Sequence, residues 1–269
     1  MIDKVRNSIA AAALAAATLA GCASAQPAAQ HIPETQTVRN VVLVHGAFAD
    51  GAGWRGVYDD LTARGYRVTI VQNPLTSLAD DVAATHRILA RQDGPTILVG
   101  HSYGGTVITD AGEHEKVAGL VYVSAFAPDI GESTGDQLAR VPAPAEFVLD
   151  PQADGYGFVS LEHFHAGFAA DTSDADSAFL ANSQVPIALS IFGTPVTHAA
   201  WRSKPTWSVI ASSDRAIDPV LLRQMAERSG AETVEVEASH VIYITQPHAV
   251  ADVIDRAARA VSEGGARAH

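Results

Sequence analysis

The stretch that decides the fold is Thr96–Gly105, which reads TILVGHSYGG. A short apolar run, TILVG, leads directly into the pentapeptide GHSYG at residues 100–104, and a helical pattern follows over 104–113. A G-x-S-x-G pentapeptide in this context predicts a sharp strand-to-helix turn that lifts the serine hydroxyl above the edge of a sheet. The helix N-terminus adds backbone N–H donors and a dipole that favour a developing oxyanion. These features make Ser102 a candidate nucleophile; the alternative is an inert serine in a tight turn.

Outward from this stretch, apolar runs alternate with helical patterns along most of the chain. Most of the runs are short and apolar on both faces, which is typical of buried parallel strands. The six runs are 40–45, 66–72, 96–100, 118–124, 206–211 and 233–237. The helical patterns are 54–64, 78–91, 104–113, 219–228 and 247–262. This alternation predicts an α/β fold, with a mostly parallel sheet of about six strands flanked by helices on both faces.

One interval, 128–204, breaks the alternation. It contains no clear strand pattern, and helical patches stand at 161–169 and 174–182. A structureless loop of that length is rare inside a compact domain. We therefore expect a mostly helical insertion over 128–204 that caps the sheet, with the core formed by 39–127 and 205–262.

A serine hydroxyl is a poor nucleophile without a base, and a histidine late in the chain suits that role. His240 follows the run 233–237 and precedes the last helical pattern, so we expect it on a loop above the strand ends. Six of the other histidines fit less well, because they lie in helical patterns, beside the candidate nucleophile or near the termini. They are His31, His86, His101, His114, His248 and His269.

A carboxylate is expected to hold the imidazole in one tautomer and to stabilise the imidazolium. Asp214 follows the run 206–211, which places it at the carboxyl edge of the sheet, where ligands bind in open α/β folds. Asp218 is the alternative, but it is better placed to cap a helix that begins at Pro219. The order serine, aspartate, histidine differs from the orders of the chymotrypsin and subtilisin types.

Four segments together resemble a known family. The chain looks like an α/β-hydrolase of the small, single-cap type over about residues 39–260, close in pattern to carboxylesterases grouped with plant methyl-esterases, hydroxynitrile lyases and pyrethroid-type hydrolases. The segments that carry the resemblance are LVHGAF at 43–48, VGHSYGG at 99–105, SSDRAI at 212–217 and EASHVIYITQP at 237–247.

The resemblance implies further site residues. In the family, the residue after His-Gly and the residue after the nucleophile donate backbone N–H groups to the oxyanion, and here these are Ala47 and Tyr103. Four side chains near these motifs are candidates for the substrate pocket: His45, Phe48, Trp54 and His101.

The function that these residues indicate is hydrolysis of a small, rather apolar carboxylic ester through an acyl-enzyme, with no metal or organic cofactor. The hydroxynitrile lyases that the chain resembles carry a lysine directly after the catalytic histidine, and Val241 stands there instead, which favours hydrolysis. One fold supports many chemistries, however. A lyase, a lactonase, a cofactor-free oxygenase or perhydrolase, and a lipid-anchored binding protein without catalysis are the alternatives.

Two further motifs favour no additional function. Residues 51–56 spell G-x-G-x-x-G, but a dinucleotide-binding motif directly follows its strand, and here residues 46–50 intervene. We interpret 51–56 as the entry to the first helix. The histidines of EHFH at 162–165 are two residues apart, which does not place them on one helix face, so we predict no metal site there.

Composition excludes several classes of protein. The chain has 269 residues, 47% of them hydrophobic, and a net charge of -12. Such an acidic chain is a poor nucleic-acid binder, since binding phosphates needs a basic face. The single cysteine excludes an internal disulfide framework and a cysteine-rich metal site. The sequence carries no indication of the oligomeric state.

The N-terminal segment has the layout of an export signal. Lys4 and Arg6 precede an alanine-rich apolar run over 9–20, which is short for a membrane-spanning helix. The run ends in LAGC at 19–22, which resembles the lipobox of bacterial lipoproteins, and Cys22 is the only cysteine of the chain. We therefore expect cleavage before Cys22 and lipidation of that residue.

This interpretation predicts a lipoprotein signal peptide over 1–21 and a tether over 22–38. By resemblance to lipoproteins of Gram-negative bacteria, the absence of aspartate after Cys22 favours the periplasmic side of the outer membrane. The alternative is an ordinary signal peptide cleaved after Ala23 or Ala25, which would give a soluble periplasmic or secreted protein.

Overall fold

The computed structural model describes residues 37–267. The strands are β1 Asn40–Val44, β2 Arg67–Val71, β3 Thr96–His101, β4 Val117–Val123, β5 Leu149–Pro151, β6 Tyr156–Val159, β7 Ile187–Ala188, β8 Thr206–Ala211 and β9 Glu232–Val236. The α-helices are α1 Arg55–Ala63, α2 Leu78–Ala90, α3 Tyr103–Ala111, α4 Thr134–Arg140, α5 Phe164–Phe168, α6 Asp174–Asn182, α7 Pro219–Arg228, α8 Ile242–Thr245 and α9 Pro247–Arg267.

Six strands form one sheet in the order β2-β1-β3-β4-β8-β9, and every neighbouring pair is parallel. The predicted α/β architecture is confirmed, and each strand begins and ends within one residue of its predicted position. Every residue of β1, β3 and β8 is buried, which is why these segments read as continuous apolar runs rather than alternating ones. Helix α1 packs against α9 and α2 against α3, so helix pairs flank the sheet.

The interval 128–204 differs in part from its prediction. The helical patches are present as α5 and α6, and α4 precedes them. The pattern predicts no strand here, yet β5, β6 and β7 form a separate antiparallel sheet. These strands contain three, four and two residues, which is too short for an alternating pattern to stand out from its surroundings. We call 128–204 the cap, as in the prediction.

The predicted signal peptide, the lipidation site Cys22 and all of the tether except its last two residues lie outside the described residues. No helix within residues 37–267 combines the length and apolar character that crossing a membrane requires.

Candidate active site

Ser102 lies at the turn between β3 and α3 with an unusual backbone conformation. Its φ is 54° and its ψ is -125°, a backbone conformation that residues other than glycine rarely adopt. The turn is tight because two glycines flank it. A Cβ on Gly100 would lie 2.5 Å from the carbonyl oxygen of Gly104, and one on Gly104 would lie 2.7 Å from the carbonyl oxygen of Val44. The close approach of strand and helix therefore holds Ser102 in this conformation.

The structure brings Ser102, His240 and Asp214 into one chain of hydrogen bonds. The Oγ of Ser102 lies 2.9 Å from Nε2 of His240, and Nδ1 of His240 lies 2.7 Å from Oδ2 of Asp214. All three residues are buried. With a proton on Nδ1, the neutral imidazole donates to the carboxylate, and its Nε2 accepts from the serine hydroxyl. The arrangement has the geometry of a nucleophile, a base and an orienting carboxylate.

Asp214 is fixed by the backbone that follows it. Its Oδ1 accepts hydrogen bonds from the N–H groups of Ala216 at 2.8 Å and Ile217 at 2.9 Å, which leaves Oδ2 to face His240. Asp218 has another role. It is the N-cap of α7 and accepts from the N–H of Val220 at 2.8 Å. The structure thus places Asp214, and not Asp218, beside the histidine.

His240 is held from two sides. The imidazole of His101 lies behind it, with ring centroids 4.6 Å apart, and His101 Nε2 lies 2.9 Å from the carbonyl oxygen of His240. Burial, together with the neighbouring His240, holds the pKa of His101 well below its usual 6.5, so this imidazole is neutral and donates to that carbonyl. On the other side, Phe168 of the cap meets the His240 ring edge-on, with centroids 4.9 Å apart.

Ala47 and Tyr103, the residues expected to donate to an oxyanion, lie beside Ser102 in one cavity. Tyr103 is the first residue of α3, so its N–H has no acceptor within the helix. Neither backbone N–H donates a hydrogen bond to another residue within 37–267. Both are therefore available to a ligand atom at Ser102.

The cavity at Ser102 has a volume of about 230 Å³. We call it the active-site cavity. Apart from Ser102, His240 and Tyr103, its side chains are apolar. Its lining residues are Ala47, Phe48, Ser102, Tyr103, Phe126, Leu138, Phe147, Leu149, Phe168, Phe192, Ala216, Ile217 and His240.

Of the four side chains expected in the pocket, only Phe48 lines the active-site cavity. The structure places the other three behind its wall, because each finds its partners in the protein interior. His45 accepts from the N–H of Asn73 through Nε2 at 2.9 Å. Trp54 packs against Tyr243 with ring centroids 4.6 Å apart, and His101 supports His240.

The residues that the sequence reasoning missed come mainly from the cap, whose packing over the sheet is not encoded by a local pattern. The phenylalanines of the cap are the sequence feature that could have indicated part of the cavity wall. Phe168 and Phe192 line the cavity, as an apolar substrate wall requires, whereas Phe164 is buried in the cap core and Phe179 is exposed.

The two other motifs lie apart from this site. Residues Gly51–Trp54 form a short 3-10 helix that leads into α1, as expected for the entry to the first helix. In EHFH, His163 contacts Ser160 and His165 lies near Asp174. Within the described range, no group of three or more histidine, cysteine, aspartate or glutamate side chains is arranged to hold a metal ion.

A buried carboxylate lies directly behind the serine turn. Asp81 of α2 accepts from the Tyr103 hydroxyl at 2.7 Å and from the N–H of Leu75 at 2.8 Å, and it is fully buried. Burial raises the pKa of Asp81 to about 6, although both hydrogen bonds oppose the rise. Asp81 therefore titrates in a range in which an exposed aspartate is ionised.

We expect Asp81→Asn to change how stability depends on pH. Because the folded protein binds the Asp81 proton more tightly than the unfolded chain does, this proton stabilises the fold at low pH. That contribution is lost as pH rises from about 4 through 6. An asparagine does not titrate, so the wild-type free energy of unfolding should fall relative to the variant by up to about 3 kcal/mol between pH 4 and 7. Urea unfolding of both proteins across this range measures the difference; parallel curves would contradict it.

Comparisons with known proteins agree with this architecture. The sequence model of the Alpha/beta hydrolase family matches residues 41–253. A pyrethroid hydrolase of Sphingobium wenxiniae is 30% identical over 258 residues, covering 84% of this chain and 90% of that protein. A carbendazim hydrolyzing esterase of a Nocardioides species is 29% identical over 241 residues, covering 79% of this chain and 97% of that protein.

Solved structures show the same likeness. The crystal structure of a pyrethroid hydrolase from Sphingobium faniae superposes with a TM-score of 0.71 at 25% identity, and the match covers 84% of this chain and 100% of that chain.

Proposed function

This chain belongs to the alpha/beta hydrolase family, and on that premise we propose that it is a serine hydrolase that cleaves small, rather apolar carboxylic esters through an acyl-enzyme. The observation that carries the proposal is the buried hydrogen-bonded chain of Ser102, His240 and Asp214 at the wall of an apolar cavity. The names of the relatives, a pyrethroid hydrolase and a carbendazim hydrolyzing esterase, support ester cleavage.

In the first step, Ser102 Oγ attacks the ester carbonyl and its proton passes to His240 Nε2. Asp214 stabilises the imidazolium that forms, through its contact of 2.7 Å with Nδ1. The carbonyl π electrons move to the oxygen, and the N–H groups of Ala47 and Tyr103 stabilise this oxyanion. Donors that are already in place stabilise charge that develops in the transition state, which makes this a large catalytic contribution.

In the second step, the tetrahedral intermediate collapses and the bond to the alkoxy oxygen breaks. His240 returns its proton to that oxygen, so the alcohol leaves and the acyl group remains on Ser102. A water molecule then enters, gives a proton to His240 and attacks the acyl carbonyl. Collapse of the second intermediate releases the carboxylic acid and returns the proton to Ser102 Oγ.

The cavity supports the choice of a small and apolar substrate. Pockets for drug-sized ligands have volumes of about 300–1,000 Å³, and the active-site cavity has about 230 Å³. Its lining offers Phe48, Phe147, Phe168 and Phe192 to the substrate, and among the described residues no carboxylate or ammonium group lines it. Short aliphatic or compact aromatic acyl groups fit these properties.

Two measurements test the proposal. The first is hydrolysis of p-nitrophenyl esters of increasing acyl length, for which we expect turnover with the highest kcat/KM at short to medium chains. The second is reaction with a fluorophosphonate, for which we expect one covalent adduct per chain on the peptide that contains Ser102. Absence of turnover on every ester by folded protein would contradict ester hydrolysis. Absence of labelling as well would point to a binding protein without catalysis.

We also propose that the mature protein begins at a lipidated Cys22 and is anchored at the periplasmic side of the outer membrane. The proposal rests on the sequence of the N-terminal segment, above all on LAGC at 19–22. Mass spectrometry of the mature N-terminus tests it: a lipidated cysteine is expected, and a free N-terminus at Gln26 or Ser24 would contradict it.

A further inference from the structure

We propose that Phe48 and Phe168 form a partition that sets the length of substrate that this protein accepts. The partition separates the active-site cavity from a second, larger cavity between the cap and the core. This inference rests on the proposed esterase function for its activity readout, but the partition itself is a property of the cavities.

The active-site cavity adjoins a narrow void of about 40 Å³. The two share Phe48 and Phe168 as lining residues, and no other residue within 37–267 lines both. The two phenyl rings therefore stand where one space ends and the next begins. A void of this size holds a few water molecules, and while both rings are in place it is too small for more than the end of an alkyl chain.

The narrow void in turn adjoins a larger space of about 600 Å³, which we call the outer cavity. These two share five lining residues: Asp50, Gly53, Leu180, Ser183 and Ile244. Residues from α6 of the cap and from the loop after β1 thus border both spaces. The three spaces form a series, and the pair of phenyl rings is the boundary next to Ser102.

The two rings come from different layers of the molecule. Phe48 follows the oxyanion residue Ala47 in the core, and Phe168 is the last residue of α5 in the cap. Each is 4% exposed. Phe48 has a φ of 64°, and a non-glycine residue stays in this region only where its surroundings hold it there. The rings are thus held in place from opposite sides.

This arrangement predicts a sharp length limit for the substrate. A chain that grows toward the partition gains apolar contact until it meets the rings, after which further methylenes have no space. Without one ring, the chain continues through the narrow void into the outer cavity. Each methylene that becomes buried against the apolar residues shared by the two spaces, Leu180 and Ile244, then raises affinity by up to about fourfold, the fold-change that corresponds to about 0.8 kcal/mol.

The test compares kcat/KM for p-nitrophenyl dodecanoate with that for p-nitrophenyl butanoate. The ratio is used because Phe168 contacts His240, so its loss is expected to lower both values. We expect Phe168→Ala to raise the ratio at least about tenfold. Phe48→Gly should do the same, since glycine tolerates the backbone conformation at that position. Phe192→Ala is the matched control, because Phe192 lines the active-site cavity and packs near Phe48 but does not line the narrow void.

A second substitution tests whether the longer acyl chain of the substrate passes through the narrow void in Phe168→Ala. Ser183 lines the narrow void and the outer cavity but not the active-site cavity. Ser183→Trp should therefore cancel the gain of Phe168→Ala and leave the ratio of Phe192→Ala unchanged. An equal rise in Phe168→Ala and Phe192→Ala, or a gain that Ser183→Trp does not reduce, would overturn the partition.

The binding of fatty acids of different lengths tests the partition without any need for catalytic turnover. Calorimetry with butanoate, octanoate and dodecanoate should show that affinity for the wild-type protein stops rising with length, whereas affinity for Phe168→Ala continues to rise. Identical length dependence in the two proteins would reject the partition. If the wild-type protein cleaves no ester while this binding difference is present, the esterase proposal fails and the partition stands.

Discussion

Ser102→Ala is expected to lower kcat for a p-nitrophenyl ester by about 10⁴- to 10⁶-fold, the largest effect of any single substitution in this protein. The variant lacks the oxygen that would form the proposed acyl-enzyme, while the cavity and its backbone N–H groups remain. Steady-state kinetics with a short-chain ester, together with circular dichroism to show that the fold is retained, measure the loss.

Ser213→Ala is the matched control for this prediction. Ser213 lies at an exposed position directly before Asp214, and its hydroxyl takes no part in the hydrogen bonds of the site. We expect its kcat to stay within about twofold of the wild-type value, as for a surface substitution away from such contacts. Comparable turnover in the wild type and in Ser102→Ala would mean that another residue is the nucleophile.

Asp214→Asn is expected to lower kcat by about 10⁴-fold, the size of effect that the corresponding change has in a serine protease triad. An amide nitrogen facing His240 donates a hydrogen bond where the carboxylate accepted one. The imidazole would then carry its proton on Nε2, which removes the acceptor for the Ser102 proton. Kinetics at neutral pH on folded protein test this expectation.

Asp218→Asn provides the comparison. It makes the same chemical change four residues away, at a position that caps α7. Asparagine caps a helix about as well as aspartate, so both activity and stability should change little. An equal loss of activity in the two variants, or a loss of less than tenfold in Asp214→Asn, would contradict the role proposed for Asp214.

The sheet could be predicted from the sequence because its central strands β1, β3, β4 and β8 are buried on both faces. The run TILVG has three large aliphatic residues in succession, and TWSVIA is apolar at four of its six positions. The helical patterns between the runs leave little freedom in where a strand begins. The strands of the cap lack this signal. In β5, only Leu149 is a large apolar side chain, and its neighbours Asp150 and Pro151 read as a turn.

The positions of Asp214 and His240 could be inferred because each follows a parallel strand. Parallel strands bring their carboxyl ends to one edge, so residues after β3, β8 and β9 meet there although they are far apart in the chain. The sequence says where these residues lie along the chain; the distances of 2.9 Å and 2.7 Å between them come from the structure. Their catalytic roles remain predictions.

The residues that line the active-site cavity were harder to predict, because tertiary packing between distant parts of the chain determines which side chains reach it. His45, Trp54 and His101 stand beside the motifs, yet they turn inward to hydrogen-bond partners and aromatic neighbours. Phe147, Phe168 and Phe192 reach the cavity from a cap whose placement depends on contacts across many residues. Proximity in sequence to a catalytic motif is therefore a weak guide to which side chains contact the substrate.

A crystal structure of the protein after reaction with a small alkyl fluorophosphonate tests the proposed active site most directly. The tetrahedral phosphorus mimics the intermediate of ester cleavage. We predict a covalent bond from Ser102 Oγ to phosphorus, with the phosphoryl oxygen about 3 Å from both the Ala47 and the Tyr103 backbone nitrogens. The alkyl group should lie in the active-site cavity. Phosphorus bonded to another residue would contradict the role proposed for Ser102, and a phosphoryl oxygen directed away from both nitrogens would contradict the proposed oxyanion site.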